Sequence, residues 1–449
     1  MRLRAVTSPG LLETAFLVFT ILAIGGALSA FDPNGQVIEG PQTEVQQISE
    51  AGDAGKQLVM GIVYLLNLTL LVRSVRPWAW RFLGLPLMAL TAWCFTSVLW
   101  SAIPDGTLRR AAALSGPLIV GLYAGLRYDE RKLTRSLAIA AGLAAIGSAL
   151  WAAAFKARAF DTDGNLRGLF YHKNAFGAFL ALTILAVIYR MIVLRRRSLV
   201  NVVLLAALFA CFALAHSATP IVAMLAAFTV LAAVVGLQHS HGLLAPILIG
   251  LFCLTFAVFL LFGTDIADLV AEMLGRSTTL SGRTTIWEFV IPMIGAHPWI
   301  GYGYGIFWLG ETAPGALFWY WTKQFELHAH DGFLQLLLDT GVVGLVLYLC
   351  SLVLLISRII RLSGSGAVTL VRWVALFLGY YLVCNITDTE LWQANSLLTT
   401  VYIWAVTRVN LETWCSTALQ RATPEPVLTG SMMTPVAATF TAGHPEALA

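Results

Sequence analysis

The chain has 449 residues, 58% of them hydrophobic and 12% charged, with a mean hydropathy of +0.78. Soluble domains carry about 25% charge, so a chain this long and this apolar cannot cover itself with polar surface and reads as a membrane protein. The net charge of +4 says little about partners, and nucleic acid is not expected among them.

A bilayer core needs about 20 apolar residues of helix to cross it. Twelve stretches qualify as spans: 11–30, 57–72, 84–100, 111–126, 136–155, 175–194, 199–216, 220–237, 243–262, 332–357, 373–387 and 396–407. The expected fold is all-α, a polytopic bundle forming one domain over 1–408, with one long, partly helical loop at about 263–331. The tail, 409–449, is rich in Thr, Pro and Ala without a period and reads as disordered. The six cysteines show no CxxC spacing, so neither a disulfide framework nor a zinc site is expected.

Cationic loops resist translocation. With the N-terminus in the cytoplasm, eighteen of the 28 Lys and Arg fall in cytoplasmic segments, which supports twelve spans with both termini inside. Cations on the outer side then require another explanation. Three outer segments hold them. WSAIPDGTLRR (100–110) carries Arg109 and Arg110. The segment 156–174 includes the start of LRGLFYHKNAFG (166–177), with Arg167, His172 and Lys173; Asn174 is expected to cap the next span, and Gly177 to allow close packing. The third is the long loop.

In that loop, Ser281 suits an N-cap, and Trp287, Val290, Ile291 and Ile294 recur at helical spacing. Arg283 lies one turn before Trp287 and can share its edge; Pro292 is expected to kink or shorten the helix. GYGYG (301–305) follows no strand pattern and reads as a flexible turn rather than a nucleotide loop. The aromatics Trp299, Tyr302, Tyr304, Phe307, Trp308, Trp319, Tyr320 and Trp321 suit either a membrane-interface belt or stacking on sugars. The loop ends in His328, His330 and Asp331. Their spacing is not that of helix-face metal partners. A general base at the membrane lip is one reading, since an imidazole accepts a proton near neutral pH; a surface role is the other.

Arginine forks pair with phosphate oxygens and stay charged. Arginines beside lipid-facing helices therefore suit a lipid-linked diphosphate, and a nearby His could deprotonate a hydroxyl. That chemistry is transfer from a lipid diphosphate to an alcohol, and it requires no nucleotide, metal or other cofactor.

WSAIPDGTLRRA, RGLFYHKNAFGAFL, SGRTTIWEFVIPMIGAHPWIGYGYGIFW and HAHDGFLQLLLDTGVVG stand in this order over roughly 95–345. In these motifs the chain resembles the O-antigen ligase and Wzy-type polysaccharide polymerase superfamily of bacterial inner-membrane proteins, above all its exopolysaccharide-polymerase branch. The resemblance implies a periplasmic-face glycosyltransferase acting on undecaprenyl-diphosphate-linked oligosaccharide, in the company of membrane lipid and of a chain-length regulator and flippase of the same pathway. It implies that Arg167 and Arg283 contact the donor diphosphate and that His330 is the base. Asp331 stands where the family has Asn. His172, Lys173 and Arg109 are further candidates for the diphosphate, and His328 for the base. A ligase acting on a lipid A core or protein acceptor is an alternative. So is a transporter or lipid-sugar flippase, for which Asp339 is the clearest interior acid.

Overall fold

The computed structural model describes residues 10–31, 54–74, 77–217, 219–238, 281–323 and 326–422. The expected span 243–262 and the first part of the long loop lie outside them, as do residues 423–449. Among the described residues the fold is all-helical, with one isolated bridge, Phe160–Leu166, and no strand.

Helices stand where the hydropathy placed spans: α1 (Leu11–Ile24), α2 (Ala54–Ser74), α3 (Leu85–Thr96), α4 (Pro104–Arg127), α5 (Glu130–Ala154), α6 (Lys173–Ile192), α7 (Leu199–Ala215) and α8 (Thr219–Gln238). Beyond the gap come α9 (Ser281–Ala296), α10 (Ala316–Thr322), α11 (Gly332–Leu362), α12 (Val368–Thr387) and α13 (Leu397–Ala422). Five of them, α5, α6, α8, α11 and α12, are long and apolar enough to cross a membrane, the arrangement of a polytopic membrane protein. The last helix runs 14 residues past the boundary at 408, so the first third of the expected tail is ordered helix. Arg408 pairs there with Glu412 one turn on, at 3.3 Å.

Small residues set how closely the helices approach. Gly121 and Gly125 lie one turn apart on α4; a Cβ on either would fall 2.7 Å from Ile403 Cβ or 2.6 Å from Thr407 Cβ of α13. This is the small-xxx-small contact that brings membrane helices together by packing. The Gly177 expectation has the same form, with Ser217 Cβ at 2.6 Å. The Asn174 expectation is corrected: α6 begins at Lys173, and His172 caps it by accepting from the Asn174 N–H at 3.2 Å. The Asn174 side chain instead accepts from Ser217 Oγ at 3.2 Å.

The long loop docks on a break in α11. Gly341 has φ +67°, ψ −169°, a conformation only glycine takes readily. The break frees the carbonyls of Leu338 and Asp339, which accept from Tyr302 and Gly303 N–H at 2.7 and 3.2 Å. Val342 and Val343 N–H donate to Pro298 and Trp299 O, and Trp93 Nε1 donates to Thr340 O. GYGYG is therefore a fitted clasp, not a flexible turn. Broken backbone at membrane depth persists only where protein satisfies it, and here the loop does so. Asp339, fully buried, accepts from Gln335 Nε2 at 2.9 Å inside this clasp.

Candidate active site

The N-terminal ends of α6, α9 and α11 and the C-terminal end of α12 carry the candidate residues. Helix α9 is described from Ser281 onward and includes Pro292; the residues before it and the Ser281 side chain lie outside the described residues, and the Ser281 cap with them. The buried stripe of α9 is Ile286, Phe289 and Val290, with Trp287 and Ile294 packed against it; of the four expected positions Ile291 turns outward, 59% exposed. That stripe packs on Phe307, Trp308, Phe318 and Ala329 in a small core of its own, with Phe289 5.4 Å from Phe318 and Phe307 4.9 Å from Trp308 between ring centroids. Tyr304, Phe307 and Trp308 are thus core, a role outside the two expected, while Trp299, Tyr320 and Trp321 are exposed.

This small core fixes the histidines. Ala329, between His328 and His330, is completely buried. Its carbonyl accepts from Trp287 Nε1 at 3.0 Å, and its N–H donates to Gln335 Oε1 at 3.1 Å. Trp308 Nε1 donates to the same Gln335 oxygen at 3.0 Å. Trp287 lies one turn beyond Arg283, so a single hydrogen bond ties the helix bearing Arg283 to the loop bearing both histidines. The two imidazoles meet edge to face, centroids 4.2 Å apart.

His330 is held at φ +52°, and its Nε2 contacts Glu326 Oε2 at 3.1 Å. If Nε2 carries the proton and donates it to the carboxylate, Nδ1 keeps the lone pair, the base-plus-orienter arrangement of activated acid–base pairs. His328 Nδ1 is shut from solvent without a partner among the described residues, and burial, reinforced by His330, lowers the His328 pKa to about 4. Asp331 is the N-cap of α11, its Oδ1 accepting from Phe333 and Leu334 N–H at 2.8 Å each. An Asn could cap in the same way, which gives the Asp at this position a structural account. Burial raises the Asp331 pKa to about 6 against those two bonds.

The residue that joins the parts is Asp388, at the end of α12, which the sequence reading did not single out. Its carboxylate lies with His328 and His330, one ligand atom of each within 4.8 Å of the others. Its charge acts on Arg283, His328 and His172 alike. Arg283 is half-buried, and burial lowers its pKa while Asp388 and Glu326 oppose that shift. Burial also lowers the pKa of His172, helped by Lys173 and Arg167 and opposed by Asp388 and Asp161. Asp388 thus links the 156–174 segment electrostatically to α9 and the histidine loop. Two residues on, Glu390 accepts from Ser396 Oγ at 2.5 Å, and burial beside Asp388 raises its pKa to about 7. The signal for both acids is in the chain: DTELWQANS (388–396) holds two carboxylates within three residues between two apolar stretches.

The other predicted residues are placed differently. Lys173 Nζ is engaged by Asp161 and Asp163 at 3.6 and 3.8 Å. Arg167 Nε donates to Arg158 O at 3.0 Å, and its charge reaches His172. Arg109 is exposed; its neighbour Arg110 acts on Asp339 and Tyr304.

Below Asp388 a cleft of about 1010 Å³, counting its open mouth, runs between α1, α6 and the 389–398 segment. Ile24, Met60, Phe179 and Leu182 line its apolar length; Tyr171, Thr389 and Glu390 stand at its polar side. As for metals, His328, His330 and Asp388 are a donor set that suits a divalent cation of the zinc type. A tetrahedral site with ligand bonds of about 2.0 Å needs donors about 3.3 Å apart, so the set would have to contract. Coordination would also occupy the ring lone pair that a base needs.

Residues 203–349 match the family described as O-antigen ligase. Over 272 residues the chain is 26% identical to the exopolysaccharide production protein ExoQ of Rhizobium meliloti (strain 1021), covering 58% of this chain and 62% of that protein. Over 144 residues it is 28% identical to a protein of Rickettsia prowazekii (strain Madrid E) named as a polysaccharide ligase, covering 31% of this chain and 34% of the relative. The chain thus spans less than two thirds of either relative's length. The family match contains Arg283, Glu326 and both histidines and stops short of Asp388. The motifs read from the sequence and this match point the same way: residues 203–349 are similar to the O-antigen ligase family.

Proposed function

We propose that the chain is a glycosyltransferase that extends a polysaccharide by moving a glycan from undecaprenyl diphosphate to a hydroxyl of the next lipid-linked repeat unit, at the periplasmic face of the bacterial inner membrane. The observation that carries this reading is the grouping of His328, His330 and Asp388, with Glu326 bound to His330 and Arg283 under the charge of Asp388 and Glu326, next to a cleft lined by both apolar and polar side chains. A lipid diphosphate has the same division into polar head and long apolar tail.

In this reading the polyprenyl tail lies in the cleft and the diphosphate faces Arg283, with Arg167 and His172 on the opposite wall. The acceptor hydroxyl attacks the anomeric carbon and its proton passes to His330 Nδ1, while Glu326 holds Nε2–H. The bond from the anomeric carbon to the diphosphate oxygen breaks, and the leaving diphosphate keeps that electron pair against Arg283. One direct displacement inverts the anomeric centre. Half-burial strengthens the pairing of Arg283 with the departing charge, since charge interactions grow as the local dielectric falls. A chain-length regulator and a flippase of the same pathway are the partners this role requires.

A ligase reading, in which the acceptor is a lipid A core or a protein, draws support from the family description and from the name of the Rickettsia relative. Transport has less support, because Asp339, the acid it would use, is bound to Gln335 within the clasp.

Purified protein given lipid-linked repeat units is expected to produce a ladder of longer glycans. Arg283→Ala and His330→Ala should abolish the ladder while the protein stays folded. Full ladders from both variants would overturn the site; sugar appearing only on a supplied lipid A core would make the chain a ligase.

A further inference from the structure

The large cleft has a polar side that a lipid tail does not use. Thr389, Glu390, Gln393, Asn395 and Ser396 line it from one loop, with Tyr171 beside them. Among the described residues, no Lys, Arg or His lines the cleft. A diphosphate calls for cations, so this side meets a part of the substrate that hydrogen-bonds without being phosphate. The interior alone measures about 260 Å³, where one water needs about 10–15 Å³. A sugar ring beside the head of a lipid tail has room there.

The loop is held in a strained form. Trp392 and Asn395 have φ of +56° and +58°, a region that Asn tolerates but that is an outlier for a residue as bulky as Trp. Trp392 is completely buried, and its carbonyl accepts from Tyr304 OH of the GYGYG clasp at 2.8 Å. Glu390 N–H donates to Asn385 Oδ1 at 3.0 Å, and Gln393 N–H to Thr399 Oγ1 at 3.1 Å. Such strain persists where its surroundings over-determine it, and it gathers at ligand clamps. What the loop holds out is two carboxamides. Gln393 is half-buried and Asn395 exposed, and neither side-chain NH2 donates to an acceptor among the described residues. Asn395 Oδ1 accepts from Tyr64 OH at 2.5 Å, which leaves its NH2 as the free end. Thr389 Oγ1, by contrast, is shut from solvent and takes no part.

We infer that Gln393 and Asn395 bind the sugar that the donor carries on its diphosphate, and that they determine which sugar is accepted. The inference rests on the transferase reading above and adds the donor sugar to it. Each NH2 donates to a sugar oxygen, and the Gln393 amide oxygen accepts from a hydroxyl. A site built to hydrogen-bond a hydroxyl rejects an analogue lacking it far more strongly than an apolar pocket rejects a missing methylene. Asp388 directly precedes the loop, so a sugar held there lies beside the cluster of His328, His330 and Asp388.

The test compares probes with and without a sugar, on the full-length protein in lipid nanodiscs. The probes are farnesyl diphosphate and farnesyl diphosphate bearing glucose, galactose or N-acetylglucosamine. At least one sugar-bearing probe is expected to bind about tenfold or more tighter than farnesyl diphosphate. Gln393→Met keeps the side-chain length and the backbone N–H but removes both amide atoms. It should cut that gain by about three- to tenfold, the value of one hydrogen bond, and leave farnesyl diphosphate within about twofold. Asn395→Asp keeps the acceptor for Tyr64 and a residue at ease in the left-handed region, and removes only the NH2. Its added charge acts on every probe's diphosphate, so the ratio between probes reports the sugar, and that ratio should fall. No gain from any sugar in the wild type, or a gain unmoved in both variants, overturns the subsite. Glycan ladders from the wild type together with either result keep the transferase reading. A gain lost in Gln393→Met, with no ladder from the wild type, keeps the subsite and overturns that reading.

Discussion

The hydrogen bond from Trp287 Nε1 to Ala329 O, 3.0 Å long, offers the sharpest test of how the candidate site is positioned. Trp287→Phe keeps a ring in the small core and removes only the donor and part of the indole. Ala329 is completely buried, so water cannot replace the lost partner, and an orphaned buried carbonyl costs about 1–3 kcal/mol. If that cost is met by movement of the histidine loop away from Arg283, it appears in turnover. At about 1.4 kcal/mol per factor of ten, the expected fall in kcat is roughly 5- to 150-fold. Donor KM should change little, because Trp287 is not on the diphosphate wall. Glycan-ladder formation under single-turnover conditions, beside a thermal unfolding curve, separates positioning from stability. Trp308→Phe deletes the companion bond to Gln335 Oε1, also 3.0 Å, and supports Ala329 from its N–H side. The double variant should lose less than the sum of the two, since both act on one residue. Turnover within twofold of wild type in Trp287→Phe, with an unchanged melting point, would refute the reasoning.

Other outcomes follow from the same geometry. Gly121→Leu should drive α4 from α13 and lower the thermal midpoint by several degrees, whereas Gly61→Leu, where an added Cβ meets nothing, should affect it less; equal effects would count against the packing account. The Glu390 pKa is raised from 4.5 to about 7, so its protonated form contributes fully below 4.5 and that contribution is lost as pH rises through about 7. Ionised Glu390 would then repel an anionic donor: wild-type activity should fall from pH 6 to 8.5, and Glu390→Gln should flatten that limb. Parallel profiles would exclude Glu390 as its cause. Buried His328 has the opposite sign. Its pKa is depressed to about 4, so the stability it contributes is present above about 6.5 and lost as pH falls toward 4. Activity should survive a chelator and be inhibited by zinc through His328, His330 and Asp388; loss with chelator and recovery with zinc would instead make the cluster a metal centre.

The positions of the long apolar helices and of the candidate helix in the long loop were legible in the sequence, because both depend on local hydropathy and spacing. Membrane helices must bury apolar length whatever their neighbours, so runs such as 136–155 and 175–194 announced α5 and α6. The sharing of one helical edge by Arg283 and Trp287 followed from 3.6-residue periodicity alone. What the sequence could not express was which loops meet. Glu326 and His330 lie four residues apart, a spacing visible in the chain, but Asp388 reaches the histidines only because α11 and α12 return their ends to the same level. Burial likewise separated two similar histidines: His328 has a sealed ring nitrogen and a depressed pKa, whereas His330 is oriented by a carboxylate. Charge type and span pattern are one-dimensional properties. The distance between Arg283, His330 and Asp388, and the clasp at Gly341 that holds their loop, are decided by tertiary packing.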